Sequence, residues 1–422
     1  MIAPQRDIAG SGDCAVVTTF TRLQLSVMMF LEFFIWGGWF VTMGSHLGAI
    51  GASGAQIGMA YSTQSWGAIV APFVIGLIAD RYVNAERLLG IIHLVGAVLL
   101  YQLSRTQDFG QFYAYLLGYM ILYMPTLALV NSISFRVMDD PSRHFAKIRL
   151  WGTVGWIVAG LAISYVFGWD SQQALQSGML RNTFLLTAVA SLVLGLFSFT
   201  LPRTPPRAAG GGQQTLGQML GADALTLLRD RNFLTFFICS VLICIPLAFY
   251  YQCTNLFLTQ IGVENATGKQ TLGQASEVLF MLALPFFLQR LGMKTTLLIG
   301  MLAWTLRYVL FAYGNAGELV SLLLIGIALH GVCYDFFFVS GQIYTDSRAG
   351  EQYKSSAQGL ITLATYGVGM LAGFYFAGVI TDLYAAQGAQ GWRTIWLYPA
   401  IFAAIVAAVF ALSFKNVVIK YK

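Results

Sequence analysis

The chain has 422 residues, of which 57% are hydrophobic and only 10% are charged. Soluble domains have roughly 25% charged residues, so a soluble protein of this composition could not cover its surface. The net charge of +6 is spread over short loops, and no basic stripe with interleaved aromatic residues is present, which argues against nucleic acid as a partner. The composition predicts a protein embedded in a lipid bilayer.

Twelve apolar stretches are long enough to cross a bilayer, which takes about 20 helical residues. They lie near 23–46, 56–79, 88–104, 111–135, 149–168, 183–201, 233–258, 271–289, 294–313, 318–343, 356–381 and 394–414. The first twenty residues contain Arg6, Asp7 and Asp13 and lack the apolar core of a signal peptide. We therefore expect them to form a cytoplasmic tail.

The composition changes between the sixth and the seventh stretch. Pro202, Pro205 and Pro206 are followed by glycines at 210–212 and then by an amphipathic stretch over 216–231. These features predict a linker and a helix lying on the membrane surface. The expected organisation is an N-terminal six-helix bundle (1–201), a cytoplasmic linker with an amphipathic helix (202–232) and a C-terminal six-helix bundle (233–422).

Basic residues are unevenly distributed between the two sides of the membrane. If both termini are cytoplasmic, the opposite side has only Arg105, Arg181, Lys269 and Arg393 of the 24 Lys and Arg residues, and Arg307 lies within a span. Cytoplasmic loops carry the excess of Lys and Arg. The distribution therefore predicts a multi-pass protein of the cell inner membrane with both termini in the cytoplasm.

The second and the eighth span share a pattern of polar residues. In each, a pair spaced i, i+3 precedes a proline by eleven and eight residues: Tyr61, Gln64 and Pro72 in one, and Gln274, Glu277 and Pro285 in the other. Residues three apart share a helix face. With the six-plus-six layout, this pattern favours an internal repeat with a solute site between the halves.

Ionisable side chains within the spans are candidates for function, because a charge in a bilayer is costly and usually faces a cavity or a partner. Glu277 and Gln274 offer donors and acceptors suited to sugar hydroxyls or a base edge; the alternative is a glutamate held by an arginine for structural reasons. Asp335 lies among aromatic residues, where desolvation favours the neutral form that a reversible proton carrier needs. Its alternative is a permanent ion pair with Arg149 or Arg307.

Two further helix faces carry polar residues. Arg149, Thr153 and Trp156 place a charge, a hydroxyl and an aromatic plane along one stripe, and an indole suits stacking with a nucleobase. Arg149 could instead extend to the cytoplasmic headgroups. His330 and Tyr334, spaced i, i+4, could face the solute, although a single histidine in a span often serves packing alone.

The loop after the second span contains Gly76, Asp80 and Arg81, with Arg87 six residues later. It resembles the signature loop of the major facilitator superfamily, where an acidic residue and arginines latch helix ends and gate the conformational change. The resemblance implies a gating role for Asp80 and Arg81. The alternative is an ordinary basic loop of the cytoplasmic side.

Six longer segments resemble the bacterial nucleoside:proton symporters, in the same order and over nearly the whole chain. They are FLEFFIWGGWFVTMGS (30–45), YMPTLALVNSISF (123–135), IRLWGTVGWI (148–157), SEVLFMLALPFFLQRLG (276–292), WTLRYVLFAYG (304–314) and YDFFFVSG (334–341). The resemblance implies an all-α major facilitator fold of twelve transmembrane helices in two six-helix bundles. It also implies nucleoside binding by Gln274 and Glu277 and solute-facing residues in the segment that contains Arg149.

The chain departs from a permease of that family in the seventh span. Two amide side chains of the permease correspond to Ala248 and Tyr251 here, and of these only Tyr251 can hydrogen-bond to a solute through its side chain. Glu32 in the first span is a glutamine in some members of the family, so a required proton role is not expected for it.

These observations predict a proton-coupled nucleoside importer that works by alternating access. Arg149, Thr153, Trp156, Tyr251, Gln274, Glu277, His330 and Tyr334 would bind the nucleoside, and Asp335 or Glu277 would carry the proton. A proton-coupled symporter of sugars or other small polar solutes is the alternative. The sequence has no HExxH motif, no G-x-S-x-G motif and no metal-ligand spacing, so we expect no enzymatic activity, no metal and no cofactor. A monomer is expected.

Overall fold

The computed structural model describes residues 19–74, 82–138, 141–206 and 222–417, and the regular secondary structure within these ranges consists of helices joined by turns and short loops. The helices of the N-terminal half are α1 (Thr19–Trp39), α2 (Met43–Ala49), α3 (Gly54–Val74), α4 (Ala85–Arg105), α5 (Phe109–Val137), α6 (Pro141–Leu161), α7 (Gln172–Gln176) and α8 (Arg181–Ser198). Those of the C-terminal half are α9 (Arg231–Gln260), α10 (Ala266–Tyr313), α11 (Val320–Ala328), α12 (His330–Cys333), α13 (Ser340–Thr362), α14 (Met370–Tyr384) and α15 (Ala389–Ser413).

The helices account for the twelve predicted spans. Ten helical stretches of the described residues are long and apolar enough to cross a membrane. One of them, α10, contains two spans, because Gly292 adopts φ 77° and ψ 172° and interrupts the helix. This is a backbone conformation that glycine adopts readily. The 21-residue helix α3 supplies the remaining span, so the all-α, twelve-helix prediction is confirmed.

The helices within each half pack against one another, and the two halves meet along a smaller set of helices. In the first half α1 packs against α6 and α4 against α8; in the second, α10 packs against α15 and α9 against α14. Between the halves, α3 packs against α14 and α6 against α10. The approach of α3 to α14 requires small residues, since a Cβ on Gly58 would lie 2.4 Å from the Phe374 carbonyl oxygen.

The predicted amphipathic helix differs from the structure. Ala222–Arg229 forms a 3₁₀ helix, and the preceding residues of the predicted stretch lie outside the described part of the chain. Ala224 is fully buried in a small cluster with Ala349, Ala357 and Leu360 of α13, against which Leu227 also packs. Ala224 and Leu227 therefore pack against the C-terminal bundle, whereas Leu225 of the same segment is exposed.

Hydrogen bonds between the halves join them at one end of the molecule, where α3 and α10 begin. Ser45 Oγ donates to Asn255 Oδ1 at 2.6 Å and lies 3.1 Å from Thr259 Oγ1. Gln172 Nε2 donates to the Thr259 carbonyl oxygen at 2.8 Å. We call this end, defined by Ser45, Gln172, Asn255 and Thr259, the closed end.

Two aspartates at the closed end cap helices of the opposite half. The Asp382 carboxylate, at the end of α14, accepts from the backbone N–H groups of Gly54 and Ala55, the latter at 2.8 Å, and so caps α3. Asp170, which follows α6, accepts from the backbone N–H of Thr267 at 2.9 Å and so caps α10. A carboxylate at a helix N-terminus satisfies free N–H groups and the helix dipole, so these caps hold the halves together.

Candidate functional site

A cavity of about 300 Å³ lies between the two halves. Residues of α1, α3, α5 and α6 form its wall in the N-terminal half, and residues of α9, α10, α12 and α13 form most of the opposite wall. The cavity is lined by all eight residues that the sequence predicts to bind solute: Arg149, Thr153, Trp156, Tyr251, Gln274, Glu277, His330 and Tyr334. Their role in binding stays a prediction. Asp80 and Arg81, the predicted gating pair, lie outside the described residues.

The wall in the N-terminal half combines one charge with several aromatic rings. The Arg149 guanidinium lies 4.0 Å from the centroid of the Phe33 ring, in a cation–π contact at the cavity wall. The Trp36 and Trp156 rings pack edge to face at 5.4 Å between centroids. Together they form a surface with flat apolar faces and one fixed cation.

The opposite wall carries the carboxylate of Glu277. Its Oε2 lies 3.8 Å from Nε2 of His330, and no arginine is within salt-bridge distance of it among the residues described. The His330 ring is held in turn by stacking on Tyr250, with 5.2 Å between ring centroids. Arg149 lines the wall that faces Glu277, so a cation and a titratable carboxyl group lie on opposite sides of one cavity.

Tyrosine hydroxyls complete the polar lining of the C-terminal half. Tyr334 Oη and Tyr366 Oη are 3.0 Å apart, and the Tyr251 ring lies against that of Phe40 with centroids 5.7 Å apart. Ala248, the other position at which the chain departs from the resembled permease, is fully buried and lies outside the cavity lining. A Cβ on Gly373 would come within 2.6 Å of its side chain, so Ala248 belongs to the contact between α9 and α14.

Asp335 lies behind the cavity wall, on the π-helical turn Tyr334–Val339. Its side chain is fully buried, and neither carboxylate oxygen has a hydrogen-bond partner. Arg307 is also fully buried and has no hydrogen-bond partner for its guanidinium, which lies 4.2 Å from the centroid of the Tyr250 ring. The ion pair between Asp335 and an arginine, left open by the sequence, is therefore absent from the described residues.

Several cavity residues were not singled out as solute-binding from the sequence. They include Phe33, Phe40, Asn131 and Tyr366, whose positions in apolar or aromatic runs gave no signal. Gln64 also lines the cavity, and here a signal was present. Its spacing to the following proline matches that of Glu277, which does line the opposite wall.

Glu32 belongs to a separate buried cluster within the N-terminal half. Its carboxylate lies 2.9 Å from Nε2 of His93 and accepts a hydrogen bond from Thr126 Oγ1 at 2.5 Å. The His93 Nδ1 atom is 3.1 Å from Ser191 Oγ. The cluster joins α1, α4, α5 and α8 and stays outside the cavity lining, so its geometry suits bundle packing.

Comparisons of the sequence and of the structure with known proteins point to one family of transporters. A family model described as nucleoside H+ symporter matches residues 19–418. The chain is 43% identical to YegT of Escherichia coli (strain K12), over 94% of each chain. It is 35% identical to the xanthosine permease of the same organism, over 93% of this chain and 96% of that protein. The crystal structure of the nucleoside transporter NupG, 32% identical, superposes with a TM-score of 0.83 over 94% of this chain and 99% of that one.

Proposed function

Because this chain belongs to the nucleoside H+ symporter family, we propose that it imports nucleosides together with protons by alternating access. The observation that carries the proposal is the cavity between the halves, in which Arg149, Trp156 and Glu277 face a common space. Aromatic faces suit a nucleobase, and a carboxylate suits the hydroxyls of a ribose. We propose that the eight predicted lining residues bind the nucleoside.

Proton coupling is assigned to Asp335, with Glu277 as the other candidate. A carboxylate without hydrogen-bond donors is expensive to keep ionised in an apolar interior, so Asp335 has a physical reason to bind a proton. Asp335 directly follows Tyr334, which lines the cavity together with Glu277, so a proton on Asp335 would change the charge close to the nucleoside site. One charge that crosses 100 mV releases about 2.3 kcal/mol, enough for roughly 40-fold accumulation of a neutral solute.

The conformational change is a rocking of the two bundles about the cavity. We assign the bundles to 1–201 and 233–422, joined by a linker over 202–232. The closed end separates during the cycle, and Asp80 and Arg81 latch the other end. The loop charges support an inner-membrane protein with both termini in the cytoplasm, and the protein is proposed to act as a monomer without enzymatic activity.

Uptake into proteoliposomes tests the proposal. With an acidic exterior and an inside-negative potential, labelled uridine or adenosine should accumulate above its external concentration, and a protonophore should abolish the accumulation. Excess unlabelled nucleoside should compete, whereas sugars should not. Uptake that is unaffected by the protonophore would contradict proton coupling. Competition by sugars but not by nucleosides would indicate that the substrate is a sugar. Net accumulation without a chemical change in the solute would exclude an enzyme.

A further inference from the structure

Gln64 is an amide that the described hydrogen-bond network leaves largely unused. It lines the cavity, yet its side chain is only 2% exposed. Its Oε1 atom has no hydrogen-bond partner in the protein, and its Nε2 atom meets only the Met370 sulfur at 4.0 Å. Sulfur is a weak acceptor, and a buried amide without partners is costly. The site therefore favours a polar partner that arrives from the cavity.

The position of Gln64 in the repeat places it opposite Glu277. Both α3 and α10 begin at the closed end, at Gly54 and Ala266, and Gln64 and Glu277 follow these starts by ten and eleven residues. A helix rises 1.5 Å per residue, so both side chains lie about 15–17 Å from that end. One belongs to the N-terminal half and the other to the C-terminal half, and both line the same cavity.

The two walls differ in the part of a nucleoside that they can bind. The phenyl and indole rings of the lining all belong to the N-terminal half, whereas the C-terminal half contributes tyrosine and histidine rings, whose hydroxyl and ring-nitrogen atoms suit hydrogen bonds. The more apolar faces of the N-terminal half are the better stacking partners of a base. Glu277 belongs to the C-terminal half and, when ionised, only accepts hydrogen bonds, which suits the vicinal hydroxyls of ribose. A nucleoside placed in this way directs its base toward the wall that contains Gln64.

We propose that Gln64 hydrogen-bonds to the edge of the nucleobase and is a specificity-determining residue of the transporter, an inference that rests on the proposed function. Its free Oε1 accepts from a base N–H, such as N3–H of uracil or the exocyclic amino group of adenine or cytosine. A base without a donor at that position leaves the buried amide unpaired, and sites of this kind reject such analogues strongly. Binding thus bridges the two halves through Gln64 and Glu277.

The test is a cycle between protein variants and ligands, measured by calorimetric titration of the purified full-length protein. The ligands are uridine and 2′,3′-dideoxyuridine, or the adenosine pair if adenosine binds more tightly. Gln64→Leu should weaken binding of the parent nucleoside by roughly 3- to 10-fold, as expected for one neutral hydrogen bond. The same loss should persist with the dideoxy analogue. Glu277→Gln should weaken binding of the parent nucleoside. With the dideoxy analogue, which lacks the ribose hydroxyls, the wild type and Glu277→Gln should differ much less in affinity.

The control is Gln111→Leu, which removes an exposed amide outside the cavity and should leave affinity unchanged. Equal melting temperatures of Gln64→Leu and the wild type would show that the variant folds. Unchanged affinity in folded Gln64→Leu would overturn the inference while leaving the proposed function intact. A loss that disappears with the dideoxy analogue would assign Gln64 to the ribose and overturn the base contact. A wild type that binds no nucleoside would overturn the proposed function and this inference together.

Discussion

At the scale of single residues, the surroundings of Glu277 bear on its two interpretations, solute binding and a structural ion pair. Its Oε2 atom lies 3.8 Å from Nε2 of the titratable residue His330. The Arg149 guanidinium contacts the Phe33 ring instead of Glu277. A glutamate held for structure would make a closer pair, because buried carboxylates are normally paired and hydrogen-bonded. The geometry favours a carboxylate that is available to a solute.

Substitution of Glu277 or of Gln274 should lower the affinity for nucleoside. Glu277→Gln removes a charged acceptor, and such hydrogen bonds contribute about 1.5–3 kcal/mol, so the dissociation constant should rise roughly 10- to 100-fold. Gln274→Ala should weaken binding less, since its amide is neutral. Equilibrium titration of the purified variants measures both effects. Wild-type affinity in a well-folded Glu277→Gln protein would exclude a direct contact with the solute.

Asp335 and Arg307 are each buried without a hydrogen-bond partner, so neutralising one does not strand the other. Asp335→Asn resembles the protonated state permanently. The variant should bind nucleoside and exchange labelled for unlabelled nucleoside across the membrane, but should lose uphill accumulation because no proton is released. Exchange and accumulation are measured on the same proteoliposomes.

Two other outcomes for Asp335→Asn would contradict its assignment as the proton carrier. Breaking a buried ion pair costs about 3–5 kcal/mol, so a large fall in melting temperature with loss of both transport modes would point to a structural pair. Full accumulation by the variant would show that another residue carries the proton. Arg307→Lys serves as a comparison, because it keeps the charge but replaces the planar group that lies on Tyr250.

At the scale of helices, the closed end is held by reciprocal capping. Asp382 of the C-terminal half caps α3, and Asp170 of the N-terminal half caps α10. The two capped helices occupy corresponding places in the two halves, as the second and the eighth span. The internal repeat therefore extends from the polar residues of the cavity to the contacts that close one end.

Removal of one cap should favour separation of the closed end. The loss of a capping side chain costs about 0.5–2 kcal/mol, which shifts the balance between closed and separated states by roughly 2- to 30-fold. In the background Ser45→Cys, Asp382→Ala should therefore accelerate alkylation of the introduced cysteine by a membrane-impermeant maleimide. The measurement is the alkylation rate in proteoliposomes.

A matched control is available within one half. Asp108 caps α5 through the Gln111 backbone N–H at 2.9 Å, and both residues belong to the N-terminal half. Asp108→Ala should leave the alkylation rate of the Ser45→Cys site unchanged. Equal acceleration by Asp108→Ala and Asp382→Ala would mean that general destabilisation, rather than the contact between halves, controls access.

At the scale of the whole molecule, transport by rocking requires the closed end to separate in every cycle. Ser45 Oγ and Thr259 Oγ1 are 3.1 Å apart across the two halves, so cysteine side chains in their places would face each other, as a cross-link requires. The double variant Ser45→Cys, Thr259→Cys should lose transport on oxidation and regain it on reduction. Nucleoside binding in detergent should persist, because the cavity is unchanged.

The single-cysteine variants are the controls for this experiment. The described native cysteines Cys239, Cys244, Cys253 and Cys333 are all buried, so oxidation of either single variant should leave transport intact. Undiminished transport by a protein with the cross-link verified by mass spectrometry would contradict alternating access through separation of this end.

The sequence by itself determined the features that depend on local composition and helical period. An apolar run of sufficient length needs a bilayer, so the spans follow from hydropathy, and the structure confirms the all-α twelve-helix fold. The stripe from Arg149 to Trp156 and the pair Gln274 and Glu277 were also recognisable, because residues three or four apart share a face in any helix. All of these residues line the cavity.

Only the tertiary structure decided which faces meet. A transmembrane helix is apolar on all sides, and one position turns the face by about 100°, so hydropathy does not show which side chains point into a cavity. For this reason the sequence did not show that Arg307 lies on the Tyr250 ring rather than beside Asp335. Nor did it show that Ala248 packs against α14. The caps by Asp170 and Asp382 join residues far apart in the chain, and such contacts exist only once the bundles are packed together.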